Sequence, residues 1–155
     1  MSVVASDQCA QLKESYRFFQ YLDREETAVV TEYLQCGFAG AGEVLWNEGD
    51  PSGMAAFVVD GRVEIKKQTE FAGKHVIVGI YGQGSIVGEL CLLSGETRAV
   101  TATALIDTSL LMLSRQRFEQ LADEHPDLAV KLLQGMFLAL SNRLRKSFER
   151  LASVF

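Results

Sequence analysis

The chain has few of the residues on which metal, redox and nucleophilic chemistry depend: its 155 residues include two histidines, three cysteines, two prolines and one tryptophan. His75 and His125 stand far apart with no partner at metal-ligand spacing, so surface or turn roles are expected and no metal site is read. Cys9, Cys36 and Cys91 show no paired spacing. That pattern argues against a disulfide framework, a zinc ribbon or an iron–sulfur cluster, and suits a reducing compartment. A basic surplus is also missing; net charge is −5, a poor balance for nucleic acid. No apolar run approaches the ~20 residues needed to span a bilayer. Met1 to Gln11 lacks the basic start and apolar stretch of a signal peptide. A cytoplasmic protein without membrane contact is therefore expected. No Gly-x-Ser-x-Gly elbow, no carboxylate pair suited to hydrolysis and no histidine near Cys91 in sequence recommend catalysis. The chain is read as no enzyme, with no cofactor.

What is present fits one folded domain: 48% of residues are hydrophobic, enough for a core of its own. Residues 1–41 read as an N-terminal helical segment. Leu12 to Gln35 carries apolar positions at helical spacing (Phe18, Phe19, Leu22, Val29, Val30, Tyr33, Leu34). Its acidic break at Asp23-Arg24-Glu25-Glu26 predicts two short helices, the second capped by Asp23. Residues 42–114 change to strand patterning. Val63 and Ile65 alternate with charged neighbours after an Asp60-Gly61 turn, and Val76, Val78 and Ile80 are expected on one face of a later strand. Gly49, Gly61 and Gly73 read as strand-connecting turns, Gly82-Gln83-Gly84 as another, and Trp46 as core or a barrel-edge aromatic. Many short strands at close spacing indicate an antiparallel sandwich or barrel. Residues 115–155 return to helix, with Ser114 as one cap and Pro126 opening a second helix. Along it Leu133, Phe137, Leu140, Leu144, Phe148, Leu151 and Phe155 form a stripe, and Arg143, Arg145, Lys146 and Arg150 read as its polar face.

The strongest chemical signal is Gly88-Glu89-Leu90-Cys91-Leu92-Leu93, followed by Arg98-Ala99-Val100-Thr101. Backbone N–H groups at the start of a glycine-led helical turn favour an anion in front of them. An arginine fork suits a phosphate, and an ionised glutamate beside it must face a hydroxyl donor rather than the anion. Phosphate and hydroxyl side by side indicate a phosphorylated sugar.

This segment resembles the phosphate-binding cassette of the cyclic-nucleotide-binding domains found in catabolite activator proteins, cyclic-AMP-dependent kinase regulatory subunits and nucleotide-gated channels. Gly88, Glu89, Leu90, Leu92, Arg98 and Ala99 match its pattern in order, whereas Cys91 replaces a small residue and Val87 a phenylalanine. The early motifs Gly42-Glu43-Val44-Leu45, Glu48-Gly49-Asp50 and Phe57–Ile65 look like the family's first strands. The resemblance implies a mainly β fold with flanking helices: an antiparallel, jelly-roll-like β-roll with N-terminal helices and a long C-terminal helix. It implies a cyclic mononucleotide on Gly88, Glu89, Leu90, Cys91, Arg98 and Ala99, with Glu89 on the ribose 2′-hydroxyl and Arg98 on the phosphate. Ala99 in place of threonine points to cyclic AMP over cyclic GMP. The C-terminal helix is expected to move with ligand, to form a homodimer, and to act on an effector protein the sequence does not specify. With no helix-turn-helix following, direct DNA binding is not expected. Two rivals stay open: an interaction module with a degenerate pocket, and a small cupin-like enzyme.

Overall fold

A computed structural model describes residues 1–4, 6–15 and 21–155; Phe18 and Phe19, expected on a helix, lie outside them. The described strands are β1 (Ser2–Val3), β2 (Gln35–Ala39), β3 (Val44–Trp46), β4 (Met54–Asp60), β5 (Val63–Gln68), β6 (His75–Tyr81), β7 (Ile86–Val87), β8 (Thr101–Ala104) and β9 (Thr108–Ser114). They form two antiparallel sheets in the orders β1-β2-β9-β4-β7 and β3-β8-β5-β6. The helices are α1 (Ser6–Ser15), α2 (Arg24–Glu32), α3 (Arg115–Glu124) and α4 (Pro126–Ala152). This is the expected β-roll with helices on either side of it in sequence.

The two central strands explain the architecture. β4 and β9 pair with Phe57 opposite Leu111, and both are apolar runs rather than alternating ones. A strand covered on both faces needs no polar side. One face of β4 and β9 (Ala55, Phe57, Leu111, Leu113) packs with Leu121, Leu128 and Leu132 of the helices. The other (Ala56, Val58, Leu110, Met112) packs with Val63 and Ile65 of the second sheet.

Helix starts follow the sequence signals. Asp23 accepts from the Glu26 N–H while the Glu26 carboxylate accepts from the Asp23 N–H, a reciprocal cap on α2. Ser114 accepts from the Arg117 N–H, and Pro126 stands in the first turn of α4.

Three expectations are corrected. The helix does not run to Gln35: α2 ends at Glu32 and Gln35 begins β2, where Cys36 pairs with Leu111 of β9. Cys9 and Cys36 are joined by a disulfide, with Cα atoms 5.6 Å apart. Cys9 and Leu12 of α1 pack on the core cluster that contains Cys36, a tertiary contact that a 27-residue spacing does not reveal. The reducing-compartment inference loses the support it drew from unpaired cysteines. In β6, the register slips by one residue where Ile65 pairs with Gly79 but Lys66 pairs with Ile77. Val78 is the extra residue, so Ile80 (opposite Glu64) and Val76 (opposite Lys67) point to different faces. Among the described residues no helix is long and apolar enough to cross a membrane.

Candidate ligand-binding site

Gly88 follows β7 and opens a single 3-10 turn over Glu89–Leu92. Its φ of +71° is a conformation L side chains rarely adopt, and a Cβ here would lie 2.5 Å from Arg98 Nη1 and 2.9 Å from the Trp46 ring. Only glycine lets the turn close onto those two side chains.

Arg98 is set by backbone and side chain together. Its N–H donates to the Asp50 carbonyl and its carbonyl accepts from the Gly49 N–H, each at 2.8 Å, which fastens this loop to the β3–β4 connection. The guanidinium donates from Nη2 to the Met54 carbonyl at 2.7 Å and from Nη1 to the Gly88 carbonyl at 3.5 Å. Cζ lies 3.8 Å from the centroid of the Trp46 ring. The residue is only 9% exposed, and its Nε is buried without a hydrogen-bond partner among the described residues. Burial pulls its pKa down, while Cys91 and Asp50 push it up. A guanidinium stays protonated in proteins, so its charge sits against carbonyls and a ring face with no carboxylate in ion-pair contact among the described residues. That is an incomplete anion site.

Glu89 does not complete it. Its half-buried carboxylate makes no hydrogen bond or ion pair among the described residues, so it is not a clamp for Arg98.

Both side chains line a cavity of about 280 Å³ with Gly88, Leu90 and Ala99. Cys91 is not in its wall; the side chain is buried, and burial pushes its thiol pKa up. Ile65, Val78 and Val87 supply apolar walls, and Arg143 reaches the cavity from α4. Arg143 is held there, with Cζ 3.9 Å over the Tyr81 ring and Nη2 donating to the Ile86 carbonyl. Arg143, expected only as part of the polar face of its helix, reaches the cavity because α4 docks on the roll. Trp46 is a buried aromatic, as the sequence predicts, but its contact with Arg98 carries no sequence signal. An apolar slot with two acceptor carboxylates, Glu89 and Glu96, and two fixed guanidinium groups can hold a flat group joined to an anion and a hydroxyl.

The fold is a β-roll with a cavity at its 3-10 turn. Residues 38–125 match the cyclic nucleotide-binding domain model, and the chain belongs to that family. A cyclic nucleotide-binding domain from Methylobacillus flagellatus superposes with a TM-score of 0.81 at 26% identity, covering 96% of this chain and 83% of that one. The Thermus thermophilus catabolite activator protein gives a TM-score of 0.72 at 28% identity, over 88% of this chain and 62% of that one. The lysophospholipase nte1 of Neosartorya fischeri is 34% identical over 119 residues, 77% of this chain but 7% of the relative. The chain thus spans a small fraction of the length of the curated relatives it matches.

Proposed function

We propose that the chain is a non-catalytic cyclic-nucleotide sensor that prefers cyclic AMP and transmits occupancy through α4. The observation that carries this reading is Arg98: a buried guanidinium lining a cavity, its Nε bare and its charge in no ion pair among the described residues. A cyclic phosphate carries the single negative charge that such a group lacks. Glu89, unpaired on the same cavity, would accept from the ribose 2′-hydroxyl. The backbone N–H groups of Leu90 and Cys91 would complete the phosphate cradle, with Gly88 giving close approach and Ala99 beside phosphate and base. The cAMP-bound PfPKA-R structure, with a TM-score of 0.61 at 27% identity over 77% of this chain and 43% of that one, supports the choice of ligand class. Because Arg143 brings α4 to the cavity wall, a ligand that touches that wall shifts the helix. A homodimer through α4, an effector protein on the output side, and no direct contact with DNA or membrane belong to the same reading.

A second reading is favoured by one observation: Arg98 already donates to the carbonyls of Met54 and Gly88, a structural brace. It makes the chain an interaction module that holds the roll and takes no nucleotide. Calorimetric titration with cyclic AMP and cyclic GMP separates the two. Saturable heat with one-to-one stoichiometry, abolished in Arg98→Ala, supports the sensor; no heat with either nucleotide supports the module.

A further inference from the structure

A second depression lies outside the Arg98 cavity. The roll-facing side of α4 is apolar through Leu128, Leu132 and Met136, which are buried. Beyond Met136 the same side turns polar and cationic, with Asn142, Arg143, Lys146 and Arg150 facing a groove of about 800 Å³. Its other wall is the end of β6 and the turn after it, from Gly79 to Ser85. We propose that this groove docks an extended acidic segment of a partner protein, which adds as a strand to β6 and sets its carboxylates against Lys146 and Arg150.

Three observations carry the proposal. Lys146 and Arg150 form no ion pair among the described residues, and Glu149 is the single acid in the groove wall. In a chain of net charge −5, this is positive charge concentrated where the overall balance runs the other way. The second observation is that β6 is an edge strand: it pairs with β5 alone, and its outer side has no strand partner among the described residues. Third, Val76, Ile77, Val78 and Ile80 are exposed, so four of its seven residues are aliphatic side chains in water. An apolar edge with unpaired backbone groups is a template for strand addition, here on the Gly79–Tyr81 side of the Val78 bulge. A strand's alternating side chains place apolar residues on one face, where Ile80 is exposed at the groove, and every second residue on the other. The groove's cations select acidic residues at those positions.

The test is fluorescence anisotropy with a short labelled peptide of alternating valine and glutamate, and a matched peptide of valine and lysine. The full chain should bind the acidic peptide and not the basic one. Lys146→Glu with Arg150→Glu should weaken binding by about tenfold or more, as reversing contacts between charged partners does. Both residues are exposed on α4, and an unchanged melting temperature checks that the variant folds. Methylating alternate peptide nitrogens should abolish binding if main-chain pairing to β6 holds the peptide. Equal affinity for both peptides, indifference to the charge reversal, or full displacement by inorganic phosphate overturns the proposal. So does a wild-type chain that gives no anisotropy change, including one whose groove a second copy already fills. Nucleotide binding is measured separately with cyclic AMP, so failure of the groove and failure of the Arg98 site are distinguishable.

Discussion

The Arg98 guanidinium lies 3.8 Å from the centroid of the Trp46 ring, and Gly88 leaves no room for a Cβ between itself and this pair. A desolvated contact of this kind contributes on the order of 2 kcal/mol. It also fixes the plane of the guanidinium before any ligand arrives, so less rotamer freedom is lost on binding.

Removing Arg98 should therefore remove the ligand. Arg98→Ala leaves a desolvated phosphate without its charge partner, a loss of about 2–5 kcal/mol. That corresponds to roughly 30- to several-thousand-fold in Kd. Arg98→Lys should recover only part, since an ammonium cannot reproduce the fork. The measurement is the rise in melting temperature with added cyclic AMP, which should vanish in Arg98→Ala. An undiminished shift in a folded Arg98→Ala protein rejects the assignment.

Gly88→Ala should separate binding from folding. The added methyl meets Arg98 Nη1 at 2.5 Å and the rigid Trp46 ring at 2.9 Å, at a φ of +71°. The backbone conformation alone costs about 1–2 kcal/mol. The larger consequence is a displaced guanidinium, so cyclic AMP affinity should fall by about tenfold or more, as for a misplaced binding group. Wild-type affinity in this variant shows that the ligand does not use the Arg98 position.

Much of this arrangement was legible in the residues. Local signals survived: the Asp23 and Ser114 caps, Pro126 at the start of α4, and positive φ at Gly49, Gly61 and Gly73. Each depends on atoms a few residues apart. Features that depend on packing were hidden. The Cys9–Cys36 bridge needs α1 laid over β2, the Val78 bulge needs the β5 register, and Arg143 reaches the cavity only because α4 docks on the roll. The face of α4 that docks on the roll, Leu128, Leu132 and Met136, lies beside the Leu133–Phe155 stripe, and no sequence signal distinguished the two.

The base should be chosen by what Ala99 lacks. Ala99 lines the cavity and offers no side-chain hydroxyl to a guanine amino group. Cyclic AMP should compete more strongly than cyclic GMP, and Ala99→Thr should narrow the gap. A titration in which cyclic GMP displaces cyclic AMP at equal or lower concentration reverses the preference.

Thiol counting tests the covalent frame. Cys91 is buried, its thiol pKa is pushed up by burial, and Cys9 and Cys36 are bridged. A raised thiol pKa means less thiolate at neutral pH, so reaction with a thiolate-specific reagent is slow on two counts. The native chain without reductant should show no fast-reacting thiol, the unfolded chain one, and the unfolded, reduced chain all three. Three thiols in the unfolded chain before reduction remove the disulfide. Cys9→Ser should lower stability by about 3–4 kcal/mol if loop closure is the main effect.

The outer face of α4 should carry a dimer. The helix spans 27 residues, about 40 Å at 1.5 Å per residue. Its buried positions stop at Met136, whereas Phe137, Leu144, Phe148 and Leu151 stay exposed. Spacings of seven, four and three place these side chains on one side, the geometry by which two helices pack along their length. A contiguous apolar strip in water marks an interface. The chain should scatter light as a particle of twice 17.1 kDa, and Leu144→Glu with Phe148→Glu should return it to monomer. The same helix supplies Arg143 to the cavity, so cyclic AMP should slow hydrogen exchange after Pro126 in the wild type. A wild-type monomer at micromolar concentration removes the dimer. Identical exchange with and without nucleotide, at saturating occupancy, removes the coupling.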